Sequence, residues 1–127
     1  EVYGVYVAVV SETNLEGQKI WNAYLVNDKN EPIENVFVSS KGYLINVKGE
    51  ESKTSMLRHF YKVVPAKSSQ KIEVVIDDVL KLNNEYFVSF YHKDQLFDKK
   101  FVFLAETIKQ ENISFVPIIQ KQGVWIK

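Results

Sequence analysis

Two histidines, His59 and His92, are the only imidazoles in this chain of 127 residues, and no cysteine accompanies them. A zinc site built from three histidines or from thiolates is therefore excluded. His92 opens the triplet "HKD", which offers two ligand types from one turn, but a bound metal needs three or four converging donors. The triplet reads as a solvated hairpin tip. His59 lies in an alternating run and reads as a strand histidine with its polar tip satisfied. Asp77 and Asp78 are adjacent carboxylates, yet sequence neighbours diverge in extended or helical backbone and cannot flank a substrate as paired acid and base groups must. Their expected use is a turn, with Asp77 capping one helical turn. Glu50 and Glu51 belong to the charged loop "KGEESK", which lacks the further oxygen ligands calcium requires. Ser39 and Ser40 sit outside any G-x-S-x-G context, and the five glycines form neither a dinucleotide nor a P-loop pattern. The sequence thus assigns no catalytic residue, no metal and no cofactor, and the expectation is a protein that is not an enzyme.

The elements carrying these residues are strands. Apolar residues recur with a period of two, in runs rich in Val, Ile, Tyr and Phe, which suit a pleated, half-buried surface. Strands are expected over residues 2–10, 19–26, 34–40, 54–64 and 71–76. Trp21, Ala23 and Leu25 share one face of the second, and Ile72, Val74 and Ile76 one face of the fifth. Residues 41–53 read as a long mobile loop, with "YLINV" as an optional edge strand, and "AETIKQEN" as a short helix. About seven short strands separated by turns, in one domain spanning residues 1–127, indicate an all-β, immunoglobulin-like or fibronectin-type β-sandwich with a C-terminal extension over residues 105–127. Leu82, Tyr86 and Val88 resemble the tyrosine-corner region of such sandwiches, in which the phenol bonds back to upstream backbone.

"EYFVSFYHKDQLFDKKFVFL", residues 85–104, forms the most definite local unit. With Lys93 and Asp94 at the tip of a hairpin, Phe90 stands opposite Phe97, Val88 opposite Lys99 and Tyr86 opposite Phe101, giving a core face. The other face carries Phe87, Ser89 and Tyr91 against Lys100, Asp98 and Leu96, followed by Val102 and Leu104. No register leaves that face cleanly polar, and a patch of this size exceeds what monomers normally expose. Its expected cover is the chain's own tail, where Phe115, Ile118, Ile119, Val124, Trp125 and Ile126 lack another assigned place. A second copy related by two-fold symmetry is the other candidate, compatible with a tail that crosses over.

Sixteen basic residues balance sixteen acidic ones, which removes the field that would draw the chain to phosphate or anionic lipid. The longest apolar runs fall far short of the ~20 residues a membrane helix needs. The absence of an initiator methionine before Glu1 reads as a trimmed or processed product.

"WNAYLVNDKNEPIENVFVSSKGY", "LRHFYKVVPAKS" and "DVLKLNNEYFVSFYHKDQLFDKKFVF" together resemble a family of short uncharacterised proteins from Bacteroidetes-type bacteria. Some members carry a label tying them to the phenylalanyl-tRNA synthetase alpha subunit, whose class II catalytic core has neither space nor motif here. The resemblance implies a bacterial, cytoplasmic protein and brings no site residues with it.

The functional expectation is a protein-interaction or scaffold module that self-associates as a homodimer through the outer hairpin face. Phe87, Tyr91, Leu96, Val102, Leu104 and Trp125 are the interface candidates. The alternative is a binder of small ligands or single-stranded nucleic acid, using Tyr91, His92, Lys93, Phe97, Lys99 and Lys100 near the tip. Neutral overall charge argues against nucleic acid as the partner.

Overall fold

The computed structural model describes residues 2–126. Ten strands follow one another: β1 (Val5–Thr13), β2 (Lys19–Asn27), β3 (Ile33–Ile45), β4 (Glu51–Lys53), β5 (Leu57–Val64), β6 (Ser68–Val75), β7 (Asn83–His92), β8 (Gln95–Phe103), β9 (Ser114–Val116) and β10 (Lys121–Ile126). They build two antiparallel sheets. The first has the order β6-β2-β1-β10-β9. In the second, β8 pairs β7 and β7 pairs β3, while β5 and β4 divide the remaining edge of β3 between them. The all-β expectation holds, with ten strands in place of about seven.

Hydrophobic burial between the sheets explains the arrangement. Val5, Val7, Val9, Ala23 and Leu25 of the first sheet are buried, as are Val36, Val38, Tyr86, Val88, Phe90, Phe101 and Phe103 of the second. Each fully buried large side chain contributes about 1.5–3 kcal/mol. Strand β1 does not alternate because both of its faces are covered: Tyr6, Ala8 and Val10 are buried too. Ala8 lies opposite both Tyr24 and Trp125, and the Trp125 ring stands 4.8 Å from that of Tyr6.

Several local expectations are corrected. Strand β1 begins at Val5 rather than at residue 2, because Gly4 at φ 73° turns the chain there. Residues 41–53 are a hairpin, with Tyr43↔Lys53 and Ile45↔Glu51 as partners. The Asn46 side chain organises its turn by accepting from the Lys48 and Glu50 amides. A register shift between Ala23 and Tyr24 of β2 bulges β6, so Ile72 and Val75 are buried while Val74 and Ile76 are exposed. Asp77 does not cap; a 3-10 turn, Asp77–Val79, starts from Ile76 without a side-chain cap. The helix expected near 105–112 is a single 3-10 turn, Gln110–Asn112.

The tail provides the main correction. Residues 114–126 do not cover the hairpin; they form β9 and β10 and extend the first sheet, with Val9↔Val124 and Ala8↔Trp125 in register beside β1. The apolar side chains that β1 would show at a bare edge are thereby enclosed. Close approach here depends on Gly123, where a Cβ would lie 2.7 Å from the Val9 carbonyl oxygen.

Candidate functional site

The hairpin register is the one read from the sequence. Tyr86↔Phe101, Val88↔Lys99 and Phe90↔Phe97 face the core, and Phe87↔Lys100, Ser89↔Asp98 and Tyr91↔Leu96 face outward. The two-residue tip places Lys93 and Asp94 at φ 51° and 64°, the left-handed pair of a type I′ turn, whose twist matches that of the flanking strands.

Strands β3 and β5 extend the outward face into four rows. Across the sheet from β5 to β8 these read Val63–Glu34–Tyr91–Leu96, then Phe60–Phe37–Ser89–Asp98, then Arg58–Ser39–Phe87–Lys100; a fourth, Lys41–Glu85–Val102, lies beyond the start of β5. Phe37 is 56% exposed, Phe60 52%, Leu96 53%, Tyr91 39% and Phe87 38%. Phe37 and Phe60 touch, with ring centroids 4.7 Å apart. Strand β3 produces this pattern by placing Val36 and Val38 inward and Phe37 and Ser39 outward, the period-two alternation of a sheet with one dry face. Of the expected interface residues, Phe87, Tyr91, Leu96 and Val102 therefore share this face. Leu104 lies exposed just past β8. Trp125 lies on the other sheet, donating to Ser114 Oγ at 3.0 Å, and is not part of the patch. Phe37, Phe60 and Arg58 were missed in the sequence, although "VFVSS" already marks Phe37 as the odd ring between two inward valines.

The residues grouped as a ligand or nucleic-acid site are divided between faces. His92 bonds Glu31 Oε1 through Nε2 at 3.0 Å and stands 6.3 Å from the Phe97 ring. That hydrogen bond is the leading cause holding the Glu31 carboxyl below its usual range. Phe97 stacks on Phe90 at 5.6 Å, and Lys99 lies over Phe101 at 5.1 Å on the core-facing side. Lys100 points the opposite way and reaches Glu85 at 3.8 Å. No single groove gathers Lys93, Lys99 and Lys100.

A second polar cluster, unforeseen in the sequence, occupies the cleft where β6 approaches β5. Glu73 accepts from Ser40 Oγ, 2.9 Å from both carboxylate oxygens, from His59 Nε2 at 2.8 Å and from the Tyr86 hydroxyl at 3.3 Å. Tyr86 thus does not make a tyrosine corner; its phenol crosses to the other sheet and finds a side chain in place of backbone. Burial first, then the charge and hydrogen bond of Glu73, push that phenol far above its ordinary range. Tyr61 is raised for similar reasons. The polar tip of His59 is satisfied, as its strand position implied. A cavity of about 430 Å³ opens beside the cluster, lined partly by Thr54, Leu57 and Val79. In an acyl-transfer relay the imidazole stands between hydroxyl and carboxylate; here the carboxylate stands between the other two. The signal for this cluster was Glu73 itself, an acid within the otherwise apolar "IEVVI".

Among the described residues no three His, Asp or Glu side chains group to hold a metal ion, and no helix is long and apolar enough to cross a membrane. Comparison with family models and with curated proteins finds no match to this chain.

Proposed function

We propose that this protein is a non-enzymatic interaction module, an immunoglobulin-like sandwich of the fibronectin type, that self-associates through the outer face of its second sheet. The strand order supports the fold type: without β4, β9 and β10 the sheets read β1-β2-β6 and β5-β3-β7-β8, a Greek-key sandwich of seven strands. A bacterial, cytoplasmic setting goes with this reading on the resemblance described above.

The observation that carries the function is the ring cluster of Phe37, Phe60, Phe87 and Tyr91, half-exposed on one continuous face that the chain's own tail leaves uncovered. Scattered apolar residues are normal on a surface, but contiguous patches of rings mark docking sites, and rings desolvated at an interface supply most of its energy. A second copy is the chosen occupant because the face is balanced, with Arg58, Lys41 and Lys100 set against Glu34, Glu85 and Asp98 among the rings. Sedimentation over a wide concentration range tests the proposal. The wild-type chain is expected to dimerise, and Tyr91→Glu to weaken the dimer by about 2 kcal/mol or more. A wild-type chain that stays monomeric at every concentration rejects it.

A further inference from the structure

Resting on that reading, we infer the pairing itself: two copies oppose these sheet faces about a two-fold axis that runs across the strands, between the rows of Phe37 and Ser39. Two flat faces related by a two-fold have their axis in the plane between them, and a patch centred on β3 and β7 offers two simple directions for it. An axis across the strands lays each strand over its own copy, reversed. An axis along the strands lays β3 over the partner's β7 and β5 over the partner's β8.

The rows decide between these. With the axis across the strands, the Phe60–Phe37–Ser89–Asp98 row meets the Arg58–Ser39–Phe87–Lys100 row of the other copy. Position by position, Arg58 falls on a Phe60 ring, Phe37 and Phe87 each fall on a serine, and Asp98 falls on Lys100. The flanking rows add Glu34 on Lys41 and Leu96 on Val102, against one poor match, Tyr91 on Glu85. Each match occurs twice by symmetry. Large side chains meet small ones, opposite charges meet, and a guanidinium meets a ring, an arrangement with favourable cation–π geometry. With the axis along the strands, Lys41 falls on Glu85 and Val63 on Leu96, but Arg58 falls on Lys100, Phe60 on Asp98 and Glu34 on Tyr91, placing like charge on like charge and two different carboxylates on rings. Like-charge juxtaposition across an interface is strongly unfavourable. The −30° twist usual between aligned sheets leaves the central rows opposed and parts only the corners.

Charge exchange tests this pairing. Asp98 and Lys100 are both exposed, so the replacements leave the fold intact, as circular dichroism and a thermal melt will verify for each variant. Asp98→Lys and Lys100→Asp are each expected to weaken the dimer about tenfold or more, because each puts like charges together twice. An equimolar mixture of the two variants restores dimers, since Lys in one copy then meets Asp in the other at both symmetric positions. A Lys100→Asp variant that dimerises more tightly than wild type overturns the pairing in favour of the axis along the strands, where position 100 faces Arg58. Wild-type dimers indifferent to both replacements, or a mixture that fails to recover, overturn it as well. A wild-type chain that never dimerises rejects the underlying function instead, so the two failures are distinguishable.

Discussion

Glu73 carries more polar contacts than any other side chain in the inter-sheet cleft, and its neighbours are donors committed to it. Replacing Glu73 with Gln keeps the shape but turns one acceptor oxygen into a donor facing Ser40, His59 or Tyr86. Leaving buried donors unpaired costs about 1–3 kcal/mol, so a urea melt of Glu73→Gln at neutral pH should show that loss; an unmoved midpoint would sink the view of Glu73 as a structural hub. Glu12 makes a separate cluster on the outer side of the first sheet, accepting from Asn22 and Tyr24, each at 2.7 Å, and pairing with Lys121. Burial alone would raise its carboxyl, but the hydrogen bonds and the Lys121 charge outweigh that and hold it below the ordinary 4.5. The same pairing, after burial, pushes Tyr24 up to about 12. A carboxyl lowered by folding gives stability that is full above its unfolded value and is lost as pH falls through the folded one. Glu12→Gln is therefore expected to be less stable than wild type at pH 7, with the gap in melting temperature closing in the acid range below 4.5. A gap that stays constant with pH would show that packing, and not charge, is what Glu12 supplies.

At the scale of elements, the parts legible in the sequence are those whose partners lie nearby. The hairpin of β7 and β8 was readable to the residue because a two-residue turn and a strict period fix the register together. The pairing of β10 with β1 was not: Val124 and Trp125 announce burial, but the strand they join lies more than a hundred residues earlier, and apolar character carries no address. The bulge in β6 was equally hidden, since a single extra residue reverses the faces of Val74 and Val75 without changing composition. Gly123 held the clue to the tail. A methyl at this position would press on the Val9 carbonyl at 2.7 Å and the Val10 Cα at 3.0 Å, both backbone atoms that cannot rotate away. Gly123→Ala should thus cost about 1–3 kcal/mol or more through overpacking, measured by chemical denaturation. A variant as stable as wild type would mean that β10 can shift away from β1 without penalty.

Over the whole molecule, the sequence leaves both the hairpin's outer face and the apolar tail without an assigned neighbour, and joining the two puts the tail on the wrong sheet. The sandwich separates them: the tail completes the first sheet, and the ring patch lies on the far side of the second. The two faces must then respond independently to perturbation. Removing residues 113–127 strips β1 of one of its two partners, leaving on that edge a row of unpaired backbone groups beside Val7 and Val9, a template for aggregation. Phe87→Ser, by contrast, removes a ring that solvent already reaches, and such surface changes usually alter stability by about 0.5 kcal/mol or less. Urea melts and gel filtration of the two proteins should therefore diverge. The truncated chain is expected to lose cooperative unfolding or to aggregate, whereas Phe87→Ser still unfolds cooperatively, loses only the stability that dimerisation adds, and elutes as a monomer. A truncated chain that melts like wild type but associates more strongly would instead return the tail to its first expected role, that of a lid over Phe87 and Tyr91.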